Sequence, residues 1–483
     1  MSESSFLWHD FETFGTDPRR DRPAQFAALR TDEALNPIDE PQVVYCSPAD
    51  DVLPQPMACL ITGITPQIAR IEGLAENEFA ARIHEQMARP GTCKVGYNNF
   101  RFDDEVCRHL FWRTFFEPYS HEYANGNSRF DLIDVLRLTR ALRPDGLAWA
   151  DREDGTPSFR LEDLAAANGL DTSRAHDALA DVEATLGMAR ALRQAQPKLW
   201  DWALGLREKQ VVNDLLRPGQ PLLHASSRFP ASSCATAPVL PLGPHPRFNN
   251  QWIIWNLNVD PGPFFDLDAD TLAECLWTPG DALPEELSRL PVKQIRANRC
   301  PMLAPMAVLD PAARDRLGID PAQLDRHRAR LEDQPDFVAR ILALFTPADD
   351  PTGQAADAET DLYGGFSPRS DQQIYPRVRA AGADELARMG APFRDERLNT
   401  LLFRYRARHY PDSLDTAERE RWARHRYQRL VSDPELGSIQ WPAYQQQLET
   451  LMPRHPDRAE LFADLARWPG EIGLPELAET NNQ

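Results

Sequence analysis

At 483 residues the chain is too long for one hydrophobic core, so two or three packed domains are expected. Its apolar fraction of 42% and charged fraction of 26% exclude a wholly disordered chain, and no segment offers the roughly 20 successive apolar residues of a membrane span. A formal charge of −20 counts against a protein that coats duplex DNA, yet leaves room for an enzyme whose arginines line one narrow channel.

The N-terminus carries acids within its apolar run and has no basic leader, so a cytoplasmic protein without membrane attachment is expected. Strand-like runs at Phe6 to Phe14, Gln25 to Thr31, Gln42 to Cys46 and Cys93 to Tyr97 alternate with helical patterns at Glu78 to Met87, Asp103 to Phe116, Leu161 to Asn168 and Ala178 to Arg193. Gly169 is placed to end the third of these helices. Such alternation over about 190 residues describes a mixed α/β domain. The stretch from Pro218 to Pro246 is dense in proline and serine, which predicts turns and edge segments and a change of architecture. Strands at Trp252 to Asn258 and Val292 to Ala297 follow, as in a small barrel or sandwich. An acidic segment with alanine and glycine, Ala348 to Gly365, reads as a linker to a helical region. There Leu398, Leu401, Leu402 and Tyr405 mark one helix, and Ser413 or Asp415 caps the next. Seven cysteines, scattered and never spaced as C-x-x-C, exclude a disulfide framework and a zinc site and read as buried thiols.

The chemistry lies in the acids. In F-L-W-H-D-F-E-T-F-G, strand alternation puts Asp10 and Glu12 on one face. Two adjacent carboxylates in apolar surroundings repel unless a cation joins them, and hard oxygen ligands suit Mg²⁺ or Mn²⁺; the bland alternative is a solvent-facing strand. Asp103, in G-Y-N-N-F-R-F-D-D-E, follows a short strand and opens a helix, where capping is the ordinary role of an aspartate. Asn98, Asn99 and Arg101 precede it with polar groups suited to a phosphate chain. In A-H-D-A-L-A-D-V-E-A-T, His176 stands five residues before Asp181 at a helix start. A histidine there suits removal of a proton from an attacking water, and an aspartate suits a metal; capping is again the simpler role.

D-x-E, a middle aspartate and H-x-x-x-x-D, in that order, resemble the DEDDh group of 3′→5′ exonucleases. The resemblance implies that Asp10, Glu12, Asp103 and Asp181 hold two Mg²⁺ ions, with Mn²⁺ as a substitute, and that His176 is the general base. Two such ions, roughly 3.5–4 Å apart, acidify the attacking water and offset charge on the leaving 3′-oxygen. Over nearly the whole chain, H-D-F-E-T-F-G-T-D-P, D-R-P-A-Q-F-A-A-L-R-T-D, L-I-T-G-I-T-P, G-Y-N-N-F-R-F-D-D-E-V and V-K-Q-I-R-A-N-R-C-P-M-L-A resemble bacterial exodeoxyribonuclease I. That family implies a ribonuclease H-like α/β exonuclease domain (1–196), an SH3-like β-barrel domain (197–348) and an α-helical C-terminal domain (349–483). It also implies processive digestion of single-stranded DNA to 5′-mononucleotides by a monomer, a role in recombination and mismatch repair, and binding of the C-terminal tail of the single-stranded-DNA-binding protein. Glu12, Arg160, Arg108, Tyr119, Tyr123 and Arg137 match the family's substrate contacts. Guanidinium groups meet phosphates and aromatic rings stack on any base, whereas a surface pair of Arg160 with Glu162 or Asp163 is the simpler alternative for that residue.

Arg404, Arg406, Arg408, Arg419, Arg421, Arg424, Arg426 and Arg429 crowd the C-terminal helices. They suit a solvated face, closure of a channel around the strand, or a seat for an acidic partner peptide. Two other functions stay open: an exoribonuclease with the same metal chemistry, and a non-catalytic strand clamp, whose expected mark is loss of a metal ligand.

Overall fold

The computed structural model describes residues 4–172, 177–346 and 357–481. The chain forms two compact units: Met1–Ser128, Ser173–Glu183 and Gln354–Gln483 make the first, Arg129–Thr172 and Ala184–Gly353 the second.

In the first unit, β1 (Ser5–Thr13) lies between antiparallel β2 (Pro23–Thr31) and parallel β5 (Thr92–Gly96). With β3 (Gln42–Ser47) and β4 (Leu74–Ala75), the strand order within this unit is β4-β3-β2-β1-β5, and β6 (Ser128–Asp131) follows where the second unit begins. A strand paired on both sides has no solvated edge, which explains why β1 is so apolar and aromatic. Alternation sends Leu7 and Phe11 into a core with Phe26, Phe79, Ile83 and Phe111, leaving Asp10 and Glu12 on the opposite face. The four strands expected in this region are all present, with ends shifted by one or two residues.

The C-terminal helices pack onto the same unit through two further apolar clusters. Phe14, Val52 and Leu53 meet Tyr444, Leu465 and Trp468, and Trp112 and Phe115 meet Leu398, Leu401 and Tyr405. The helix Glu396–His409 matches the expected apolar spacing, and Asp415 caps the helix Thr416–Tyr427 by accepting from the Glu418 N–H.

Near these clusters is a buried network of charges. Arg408 pairs with Asp51 at 2.7 Å and with Glu359, and Glu359 also meets Arg22 and, at 3.5 Å, Arg404. Arg404 grips both oxygens of Asp357 at 2.7 and 2.6 Å, while Arg429 donates to the Asp51 carbonyl at 3.0 Å. Neighbouring guanidinium groups overcome the cost of burial and hold the Asp51, Glu76 and Glu359 carboxyls below the usual carboxylate range. Two expectations are corrected here. The described part of the acidic segment read as a linker is an anchor, because Glu359 is 2% exposed. The arginine-rich region is not one solvated face either: Arg404, Arg406 and Arg429 are buried, Arg426 is tied to the Asp50 carbonyl, and Arg419, Arg421 and Arg424 are exposed.

The second unit holds a five-stranded antiparallel sheet of β7 (Leu222–Ala225), β8 (Thr236–Pro244), β9 (Gln251–Asn256), β10 (Val292–Arg296) and β11 (Leu303–Pro305), in the order β10-β9-β8-β7-β11. The proline-rich stretch, expected as turns and edges, supplies the central strand. Proline lacks the N–H a central strand uses on both sides. Pro238 is in register with β7 alone and Pro241 and Pro244 with β9 alone, so each proline has a ladder on one side, and the register shifts between Pro241 and Gly243. All seven cysteines are buried and unbridged.

Replacing Glu359 by Gln strands several guanidinium groups without their shared carboxylate and is expected to cost about 3–5 kcal/mol. The depressed carboxyls favour the folded state at pH above about 4 and lose that contribution as pH falls through their folded values. Melting temperature should therefore decline on acidification in the parent, and less steeply in Glu359→Gln; a variant as stable as the parent at pH 7 counts against the network.

Candidate active site

Asp10 and Glu12 project from β1, opposite Ala27 and Gln25 of β2. Gln25 Oε1 accepts from the Ala178 N–H at 3.3 Å, which fixes the start of the helix Ala178–Ala195 beside Glu12. Asp177 caps that helix by accepting from the Ala180 N–H at 3.1 Å. Asp181, one turn on, is thereby turned to the strand: oxygens of Asp10, Glu12 and Asp181 all lie within 4.8 Å of one another. The fourth acid comes from the far side of β1. After β5, Gly96 passes so close that a Cβ there would stand 2.7 Å from the Asn99 Cβ and 3.2 Å from the His9 carbonyl. The tight loop that follows delivers the helix Asp103–Arg113, and Asp103 Oδ1 accepts from the Phe11 N–H at 3.0 Å. Asn99, expected to face a phosphate chain, is fully buried in that loop, and its carbonyl accepts from the Asp104 N–H; Arg101 is exposed.

The electrostatics match the geometry. Burial, then Asp103, Glu12 and Asp181, push the Asp10 carboxyl well above its usual value. Burial, Asp181, Asp103 and Asp177 push Glu12 up to about 8. Acids so arranged share their charge most readily with a divalent cation, and a donor set made of carboxylate oxygens suits Mg²⁺ or Mn²⁺. Asp177 and Gln25, which sequence reasoning did not single out, build this corner; the sign was the aspartate directly after His176 in A-H-D-A-L, at a capping position. His176 itself lies outside the described residues.

The expected substrate contacts separate into two groups. In the first unit Arg108 is buried, with Nε and Nη2 donating to the two Glu122 oxygens at 2.6 and 2.9 Å and Nη1 donating to Glu105 at 2.6 Å. Half-buried Tyr119 stands with its ring centroid 5.6 Å from the Arg108 guanidinium, and Tyr123 is exposed. In the second unit Arg137 pairs with Asp134 at 2.6 Å beside the Phe159 ring, and Arg160 pairs with Glu162 at 2.7 Å. That second pair is solvent-exposed and worth little, which leaves the Arg160 guanidinium available to a ligand.

A mixed α/β sheet with this carboxylate cluster, an SH3-like domain and a helical C-terminal domain define a metal-dependent 3′→5′ exonuclease, a hydrolase. Family models match as Exonuclease over residues 7–188, Exonuclease I SH3-like domain over 207–347 and Exonuclease I C-terminal domain over 356–472. The chain belongs to the exodeoxyribonuclease I family: it is 44% identical over 469 residues to exodeoxyribonuclease I of Escherichia coli K12, covering 96% of this chain and 97% of that one. Its likeness to the Haemophilus influenzae enzyme is 39% over 95% and 96%. Among solved structures, the moderately thermophilic exonuclease I of Methylocaldum szegediense superposes with a TM-score of 0.91 at 46% identity, over 97% of this chain and 99% of that one. E. coli exonuclease I in complex with a dA16 oligonucleotide also gives 0.91, at 43% identity over 97% and 100%. Another solved form of the E. coli enzyme holds zinc with single-stranded DNA, and a further similar structure is of SSB/exonuclease I in complex with an inhibitor. A shorter likeness, 32% over 91 residues, is to an oligoribonuclease of Photorhabdus laumondii and covers 19% of this chain and 48% of that one. No described helix is long and apolar enough to cross a membrane.

Because its neighbours repel Asp10, Asp10→Asn should melt a few degrees above the parent in EDTA at pH 8. Added Mg²⁺ or Mn²⁺ should raise the parent's melting temperature and leave the variant's nearly unchanged. A less stable variant that still responds to metal would contradict the reading of the cluster.

Proposed function

We propose that the chain is a Mg²⁺-dependent exonuclease that digests single-stranded DNA processively from the 3′ end, releases 5′-mononucleotides, and serves recombination and mismatch repair. The observation that carries this is the meeting of Asp10, Glu12 and Asp181 oxygens within 4.8 Å, beside Asp103. Those four side chains would hold the cations, which when bound acidify the attacking water and offset negative charge on the leaving 3′-oxygen. Asp103, fixed by the Phe11 N–H, and Asp181, fixed through the helix start at Gln25, keep their oxygens in place through the reaction. His176 takes the proton from the water. Glu12, Arg108, Tyr119, Tyr123, Arg137 and Arg160 contact the strand, by charge or by stacking.

DNA is favoured over RNA because relatives sharing all three parts of the chain are exodeoxyribonucleases and the oligoribonuclease likeness covers 19% of it. The division 1–196, 197–348 and 349–483 is the proposed functional one. As a cytoplasmic monomer the protein would take the C-terminal tail of the single-stranded-DNA-binding protein as partner, a reading supported by the similar SSB/exonuclease I structure.

Asp181→Ala should abolish nearly all cleavage of a labelled single strand in Mg²⁺ yet bind it measurably in EDTA. His176→Ala should slow cleavage by about 10²-fold, at the low end of what a general base contributes. Full activity in Asp181→Ala refutes the assignment, and faster digestion of RNA than of a matched DNA strand refutes the choice of substrate.

A further inference from the structure

The arginines of the C-terminal helices divide by what they meet. Arg404 pairs with Asp357, Arg406 with Glu418, Arg408 with Asp51 and Arg426 with Asp50. Arg421 and Arg424, both exposed on the helix Thr416–Tyr427, pair with no carboxylate among the described residues. With 73 acidic residues against 53 basic ones, the chain has carboxylates to spare, and the fold keeps them away from these two.

The two arginines stand over a cleft. Arg421, Arg424 and Gln428 recur at i, i+3 and i+7, so they follow one helical face, with buried His425 beside them. The helix Glu396–His409 adds Thr400, Phe403 and Arg404, again at i, i+3 and i+4. Together these side chains line a space of about 220 Å³. The Arg421 guanidinium lies over the Phe403 ring, 4.0 Å from its centroid, an attraction that holds the charge in place before any ligand arrives. His425 is 8% exposed and its Nε2 is buried without a hydrogen-bond partner, a state that folded proteins seldom leave unanswered. Burial, then Arg404, push the ring down to about 3, so at pH 7 it is neutral and can carry its proton on Nε2 as a donor.

Size and donor chemistry identify the occupant. Sites that enclose a drug-sized ligand measure roughly 300–1,000 Å³, so this cleft encloses one small group. Guanidinium groups only donate, and the amide, hydroxyl and imidazole beside them can all donate as well. Donors carried on two helices suit the tetrahedral spread of phosphate oxygens better than a flat carboxylate, which one guanidinium already satisfies with two parallel bonds. Phe403 is engaged by Arg421, which disfavours a stacked base there and hence a single strand as occupant. We propose that this cleft binds a phosphate group carried by a small molecule, either inorganic phosphate or a 5′-mononucleotide whose sugar and base stay outside. The cleft shares no residue with the carboxylate cluster of Asp10, Glu12 and Asp181. It is independent of the exonuclease reading, whose product would be such a mononucleotide.

The test is calorimetric titration of the full chain in EDTA and chloride at constant ionic strength, with inorganic phosphate in one arm and thymidine 5′-monophosphate in the other. One equivalent of phosphate should bind the parent. Arg421→Gln and Arg424→Gln should each weaken binding about 10-fold or more, the loss expected for one hydrogen bond between charged groups. Arg419→Gln, which removes an exposed arginine of the same helix outside the cleft, should bind as the parent does. Equal melting temperatures in chloride certify the folds, and Arg424→Gln carries the test where loss of the Arg421 contact with Phe403 disturbs the structure. Tighter binding of the mononucleotide, lost in both cleft variants, names the nucleotide as the source; equal binding names free phosphate. If neither ligand binds, or if the cleft variants bind as the parent does, the proposal is overturned. It is also overturned if Arg421 and Arg424 matter only to an acidic peptide or to a single strand.

Discussion

Repulsion among four carboxylates is the constraint around which the first unit is built. Left to themselves, Asp10, Glu12, Asp103 and Asp181 would separate or move into water. The fold prevents this by placing two of them on a strand paired on both sides, tying a third to the Phe11 N–H, and starting the helix of the fourth against Gln25. The raised Asp10 and Glu12 carboxyls express the strain that results. A cluster of acids held together against their repulsion must draw stability from elsewhere in the structure.

Much of that support is supplied by the C-terminal region. Its helices share two apolar clusters with residues of the N-terminal part, and Arg404, Arg408 and Arg429 enter the buried charge network around Asp51 and Glu359. The two sets of buried acids contrast. Asp51 and Glu359 are surrounded by guanidinium groups and hold their charge far below the ordinary range, whereas Asp10 and Glu12 are surrounded by other acids and hold it reluctantly. Burial raises both sets; the sign of the neighbours decides between an anchor and a metal site.

The same contrast explains what could be read from the sequence. Asp10 and Glu12 were legible as a pair because strand alternation alone puts them on one face, whereas Asp103 and Asp181, each in the first turn of a helix where capping is the ordinary role, were singled out only by the order of the motifs and the resemblance it carries. Long-range partners were not legible. Nothing local in the segment from 348 to 365 shows that Glu359 will meet Arg22 and Arg408, so acidic residues among alanine and glycine read as a linker. The central strand β8 was hidden for a related reason: prolines argue against a strand until the staggered partners on either side are known. Arg108 was expected among the substrate contacts; its pairs with Glu105 and Glu122 are near in sequence, but its contact with Tyr363 lies 255 residues away and left no local sign.

The central claim is that the acids of β1 and of the two helix starts form one cation site. Crystals soaked in Mn²⁺ and measured for anomalous scattering test it most directly. Peaks bounded by Asp10, Glu12 and Asp181, with Asp103 at their side, are the result the account requires; manganese bound only elsewhere, with these carboxylates in contact with none, would contradict it.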